Sequence, residues 1–134
     1  MKKLKRFLLV DDSKATNFFN KTVILKTDLV EEVIAVTNGK EALETIHSGV
    51  IPEVIFLDLN MPVMNGWEFL ETYHQASNQF QDSKIMVMLG AKLNKEDEQK
   101  LASFSQVIGF REKMLTKPIL LEIISTYFKE YLPA

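Results

Sequence analysis

Cysteine is absent from the 134 residues. Its absence excludes disulfides, thiolate zinc sites and cysteine nucleophiles. Histidine is nearly absent: His47 and His74 are the only two. They form no ligand pair, and both read as surface histidines near helix ends. No apolar run approaches the roughly 20 residues that a membrane-spanning helix needs. The start, Met1-Lys2-Lys3-Leu4-Lys5-Arg6-Phe7, imitates the basic head of a signal peptide, but the apolar run that follows stops within four residues at two aspartates. That run is too short for an export signal. Neither sign of charge dominates, with a net charge of -2 and a pI near 5.7. No sequence-wide basic footprint invites nucleic acid. A cytoplasmic setting with neither a nucleic-acid nor a membrane partner is the expectation. The five glycines build neither Gly-x-x-x-x-Gly-Lys-Ser/Thr nor Gly-x-Gly-x-x-Gly, which sets aside P-loop and dinucleotide chemistry. No internal repeat, linker or low-complexity tract interrupts the chain.

What the chain does have is apolar runs that end in acid. Val54-Ile55-Phe56-Leu57 leads straight into Asp58. A short apolar run of this kind is a strand buried on both faces. Pro62 and Asn65-Gly66 force a loop after it. Asp58 therefore stands at the carboxyl end of a central strand, where open α/β sheets place their ligands. Phe7-Leu8-Leu9-Val10 likewise ends at Asp11 and Asp12. If the two strands are parallel neighbours, three carboxylates converge on one edge of the sheet. Their repulsion calls for a cation or a change of protonation. An all-oxygen ligand set suits a hard divalent metal such as magnesium.

Taken in order, strands are expected at 6–10, 32–36, 54–57, 85–89 and 107–110. Helices are expected at Lys14–Lys26, 40–47, 67–75, 95–104 and from Thr116 onward. Ser13, Asn94 and Thr116 are candidate caps. Asn38-Gly39 reads as a turn, Gly49 as a helix stop, and 76–83 as a polar loop. In the first helix Ala15, Phe18, Phe19, Thr22 and Leu25 fall at helical spacing, which predicts that this face packs on the sheet. Trp67 is expected half-buried at a helix start. The helix at 95–104 offers only Leu101, Ala102 and Phe104 to a core. The last helix carries Leu120, Ile123, Ile124, Tyr127, Phe128 and Tyr131 as its apolar stripe. Strand and helix alternate five times. The expected fold is α/β, a single five-stranded parallel sheet wound with helices on both faces. A length of 134 residues fits one domain.

Other chemistries fit less well. Asp58-x-Asn60 opens like a calcium loop, but Val63 stands where that loop needs glycine. Aspartate-nucleophile phosphatases generally want a second aspartate two residues on, where this chain has Asn60.

These residues together resemble the receiver domain of two-component response regulators, the CheY-like superfamily, from about residue 4 to 132. The acidic pair after the first strand is matched by Asp11-Asp12. The phosphorylated aspartate and its Asp-x-x-Met-Pro-x-Met-x-Gly loop are matched by Asp58, Met61-Pro62, Met64 and Gly66. The resemblance brings with it the flavodoxin-like strand order 2-1-3-4-5. The family has serine or threonine after the fourth strand; here Gly90 stands there, followed by Ala91. It also has a lysine after the fifth strand, usually followed by proline and preceded three residues earlier by an aromatic. Lys117-Pro118 is the only Lys-Pro, but Met114 lies three residues before it. Lys113 has Phe110 at the aromatic position and Leu115-Thr116 ahead of the last helix, with Met114 in the place of proline. Lys113 also falls just past the end of a strand, whereas Lys117 falls inside a helix. Lys113 is the assignment and Lys117 the alternative.

The resemblance implies a phosphoacceptor signalling domain, not an enzyme acting on a separate substrate. It catalyses only its own phosphorylation and dephosphorylation. Asp58 would take the phosphoryl group from a sensor histidine kinase or phosphotransfer protein. Asp11, Asp12, Asp58 and the Asn60 backbone carbonyl would hold Mg2+. Lys113 would contact the phosphoryl group. Gly90, Ala91 and Phe110 would form the switch, read by a downstream protein at the face built from the fourth helix, fifth strand and fifth helix. Residues 1–134 are expected to be one receiver domain without an output domain. The alternative is a pseudo-receiver, a protein-binding module whose switching is weakened because Gly90 lacks the hydroxyl.

Overall fold

The computed structural model describes residues 3–76 and 83–131. Its elements run β1 (Leu4–Val10), α1 (Lys14–Lys26), β2 (Val30–Val36), α2 (Gly39–His47), β3 (Val54–Asp58), α3 (Gly66–Gln75), β4 (Lys84–Leu89), α4 (Lys95–Ala102), β5 (Val107–Glu112) and α5 (Lys117–Tyr127). A 3-10 turn follows at Lys129–Tyr131. The sheet has five strands in the order β2-β1-β3-β4-β5, and every pairing is parallel. Most of the loop expected at 76–83, and the side chain of Tyr131, lie outside the described residues.

β3 lies at the centre of the sheet and is buried throughout. Strand alternation divides its side chains between two cores. Ile55 and Leu57 join Leu43, Ile46, Phe69, Leu70, Tyr73 and Leu101 beneath α2, α3 and α4. Val54 and Phe56 join Ile24, Leu120, Ile123 and Ile124 beneath α1 and α5. A strand buried on both faces needs consecutive apolar residues, which is why the run reads as continuous rather than alternating.

Both Asn-Gly pairs begin helices rather than hairpin-like turns. Asn38 and Asn65 are N-caps whose side chains accept from the Glu41 and Glu68 amides. Glu68 returns a bond to the Asn65 amide, completing a capping box. The glutamate three residues after each asparagine is the signature of such a cap. Gly49 closes the turn after α2 with φ +98, as expected of a glycine past a helix end.

α1 corrects the sequence reading. Phe18 is 74% exposed, Phe19 46% and Leu25 41%, while Asn17, Asn20 and Ile24 are buried. Ala15 is exposed as well. The buried asparagines are satisfied. Asn17 Nδ2 donates to the carbonyls of Asp11 (2.9 Å) and Val36 (3.2 Å), and Asn20 Oδ1 accepts from the Leu115 amide at 3.0 Å. These bonds turn the polar side of α1 toward the strand ends. Ala102 in α4 is likewise exposed, leaving Leu101 as the only buried residue of that helix.

Candidate functional site

Three loops meet at the carboxyl ends of β1, β3 and β5. β1 delivers Asp11 and Asp12, β3 delivers Asp58, and the turn after β5 delivers Lys113. Lys113 Nζ lies 2.9 Å from Asp11 Oδ2 and 3.3 Å from Asp58 Oδ2. Ligand oxygens of Asp11, Asp12 and Asp58 fall within 4.8 Å of one another. Asp11 and Asp58 are buried, and Asp12 is exposed at the mouth.

Each group is held by its own backbone context. Asp11 Oδ1 accepts from the Ser13 amide at 2.9 Å, at the turn into α1. Asn17 grips the Asp11 carbonyl from that helix. Asp58 Oδ1 accepts from the Asn60 amide at 3.3 Å. The Lys113 amide donates to the Leu89 carbonyl at 2.9 Å, tying the lysine's backbone to the end of β4. The β3–α3 loop folds back tightly on the strand. The Gly66 amide donates to the Leu59 carbonyl at 3.0 Å. A Cβ on Gly66 would lie 2.7 Å from Leu59 Cα and collide with the Asp58 carbonyl oxygen. Only glycine permits this approach.

The electrostatics favour a cation. Burial raises the pKa of Asp58, and the charge of Asp11 raises it further; Lys113 and the Asn60 amide oppose the shift without cancelling it. Burial works against the Lys113 ammonium, but the hydrogen bond and charge of Asp11, with the charge of Asp58, outweigh it and raise its pKa. Lys113 therefore stays charged. One ammonium facing three carboxylates leaves uncompensated negative charge. Asp58 Oδ2 touches Lys113 yet receives no well-aligned hydrogen bond. A buried anionic oxygen whose only near donor is an ammonium at 3.3 Å, among oxygen ligands only, fits a hard divalent cation.

The remaining sequence candidates fall around this centre. Asn60, Gly90 and Ala91 line a cavity of about 180 Å³ with Asp58, and Trp67, Lys92 and Asp97 line it too. Phe110 is half-buried and borders a separate cavity of about 410 Å³ with Leu89, Lys92, Leu93 and Arg111. The structure does not bring Lys117 to the carboxylates. Lys117 is exposed as the first residue of α5 and borders another cavity with Phe19, Val23 and Leu115. Sequence reasoning missed the supporting asparagines. Asn17 lies in the first turn of a helix that otherwise offers phenylalanines to a core, and no local pattern marks it.

Comparison with known proteins agrees with this geometry. The family model for the response regulator receiver domain matches residues 7–125. Two-component response regulator 24 of Arabidopsis thaliana is 29% identical over 119 residues, covering 87% of this chain and 79% of that protein. The crystal structure of a two component response regulator from Cytophaga hutchinsonii superposes with a TM-score of 0.85 at 29% identity, covering 96% of this chain and 99% of that one. A protein-glutamate methylesterase/protein-glutamine glutaminase of Agrobacterium fabrum is 41% identical over 71 residues, 53% of this chain but 20% of that protein. The chain thus spans about a fifth of such relatives, and their esterase activity is no guide here. The acids and lysine are assembled, so a phosphorylated receiver is favoured over a module that no longer switches. The chain belongs to the response regulator receiver domain family, the CheY-like signalling switches of two-component systems, whose role is to accept a phosphoryl group and pass the signal to a partner protein.

Proposed function

We propose that Asp58 is the phosphoacceptor and that Asp11, Asp12, Asp58 and the Asn60 carbonyl hold Mg2+. The observation that carries this reading is the Lys113 ammonium 2.9 Å from Asp11 and 3.3 Å from Asp58, amid carboxylate oxygens within 4.8 Å of each other. An Asp58 oxygen attacks the phosphorus of a phosphohistidine on a sensor kinase or phosphotransfer protein. The P–N bond breaks, and the imidazole keeps the electron pair and is protonated from solvent. The product is an acyl phosphate on Asp58, which water later hydrolyses. Lys113 is drawn to the phosphoryl oxygens and screens their charge. When bound, magnesium would neutralise further charge on the same oxygens. The domain catalyses only these steps on itself.

Gly90, Ala91 and Phe110 form the switch region, and α4, β5 and α5 form the face offered to a downstream protein. The half-buried Phe110 beside the open cavity under α4 supports this assignment. Residues 1–134 act as a single receiver domain in the cytoplasm. Among the described residues no helix is long and apolar enough to cross a membrane.

Intact mass after treatment with acetyl phosphate and magnesium tests the chemistry. Wild type should gain one phosphoryl group and Asp58→Asn none. Lys113→Ala should lose phosphorylation or its conformational response, while Lys117→Ala should keep both. The reverse pattern for the two lysines would overturn the role of Lys113.

A further inference from the structure

We propose that Lys92 contacts the phosphoryl group on Asp58 and takes over part of the role of the hydroxyl that Gly90 lacks. The proposal rests on Asp58 being the phosphoacceptor. Lys92 lies in the loop between β4 and α4, two residues after Gly90. Lys92 lines three cavities, the one beside Phe110 and two at the site. One, of about 180 Å³, also contains Asp58, Asn60, Trp67 and Gly90. The other, of about 300 Å³, contains Gly90, Ala91, Glu112 and Lys113. Lys92 therefore borders both the space beside Asp58 and the space beside Lys113.

That space is open because residue 90 has no side chain. A Cβ at Gly90 would meet nothing within 4 Å. Lys92 is exposed and has no ion-pair partner among the described residues, so its ammonium is available. A lysine carries three donors on a flexible four-carbon stem and can cross a gap that a fixed hydroxyl would have filled. Lys113 is already engaged with Asp11 and Asp58, so it cannot alone serve every new phosphoryl oxygen. Phosphorylation replaces one carboxylate charge with roughly two charges on three strong acceptors. The attraction on Lys92 thus grows at the moment of transfer. An interaction that is stronger in one state biases the equilibrium toward it. Before transfer, Glu112 in the second cavity offers the ammonium a competing carboxylate.

The bland alternative is a solvated lysine that happens to border both cavities. Beryllofluoride with magnesium, binding to the full chain, separates the two. Trp67 is the only tryptophan and lines the same cavity as Lys92, so its fluorescence reports binding. Lys92→Met should weaken beryllofluoride by about tenfold, the effect of losing one charge-assisted bond. Lys92→Arg should retain most of the affinity. Lys95→Met, exposed and on the wall of neither cavity, should leave it unchanged. Gly90→Thr added to Lys92→Met should recover most of the loss, because the hydroxyl then supplies the bond. Wild-type affinity in Lys92→Met overturns the proposal, and so does an equal loss in Lys95→Met, which would mark a diffuse field of charge. If wild type neither binds beryllofluoride nor gains mass from acetyl phosphate, the assignment of Asp58 falls and Lys92 falls with it. Normal phosphorylation with an unaffected Lys92→Met overturns Lys92 alone.

Discussion

Asp58 is destabilising to the metal-free fold when it is ionised. Burial and Asp11 raise its pKa above the ordinary value of 3.8. The folded state therefore holds the proton more tightly than the unfolded chain, and stability falls as pH rises through that interval. Below 3.8 both states are protonated and the penalty vanishes; above the folded-state pKa it is complete. In a chelator, Asp58→Asn should melt a few degrees higher than wild type at neutral pH, and the gap should close as the solution is acidified. Magnesium should narrow the gap as well, because a cation that binds only the native carboxylates stabilises wild type by mass action. Melting curves of the two proteins across pH, with and without magnesium, measure both effects. A gap that is independent of pH would mean that charge at Asp58 is not the source. Asp58 itself was legible in the sequence because an apolar run ending in acid places it without further information. Its pKa was not, because the shift depends on where Asp11 and Lys113 come to lie.

At the scale of elements, the β3–α3 loop is held in a costly shape. Val63 has φ +66, and the Met64 amide donates to the Pro62 carbonyl at 2.7 Å across it. That pairing is a tight γ-turn with a β-branched residue at its centre, a rare and strained arrangement. The turn places the Met64 carbonyl against Gly39, whose amide donates to it at 2.9 Å, so the loop is pinned to the start of α2. Left-handed backbone costs a residue like valine roughly 1–2 kcal/mol. Glycine removes that cost but loses roughly 0.5–1 kcal/mol to the entropy of the unfolded chain. Val63→Gly should therefore stabilise the domain by about 0.5–1 kcal/mol, read as a melting point about 3 °C higher. No gain would show that the loop relaxes around valine. α1 carries the complementary lesson. Its phenylalanines satisfy the helical periodicity of a core face, yet the buried bonds of Asn17 and Asn20 decide which way the helix turns. Phe18→Ser should shift stability by no more than about 0.5 kcal/mol, whereas Ile24→Ala should cost about 2–5 kcal/mol. Chemical denaturation of the two variants distinguishes this packing from the face that periodicity alone selects.

In the whole molecule, the alternation of strands and helices was legible from apolar runs and caps, while the order of the strands came only with the family resemblance. Local pattern cannot say which strands are neighbours, and that neighbourhood is what brings Asp11, Asp58 and Lys113 together. The same architecture sets how far a change at Asp58 can travel. Leu101 is the only buried residue of α4, its other ties being the exposed contacts of Lys100 with Glu71 and the Trp67 ring, and a cavity lies between the helix and β5 beside Phe110. An element with so little burial is the one most easily displaced. What moves it must be an interaction present only after phosphorylation. A threonine hydroxyl at position 90 would supply one, and the open space around Gly90 accommodates its side chain. A charge-assisted bond contributes roughly 1.5–3 kcal/mol, and about 2 kcal/mol shifts a two-state ratio by roughly thirtyfold. In the chemistry proposed above, the transfer itself relies on the carboxylates and Lys113. Gly90→Thr should therefore leave the extent of phosphorylation by acetyl phosphate near that of wild type. It should enlarge the amide shift changes across α4 and β5 when beryllofluoride and magnesium are added. A wild type already fully shifted in those elements, with nothing added by Gly90→Thr, would show that the Lys92 side chain or the Ala91 amide already does the work of the hydroxyl.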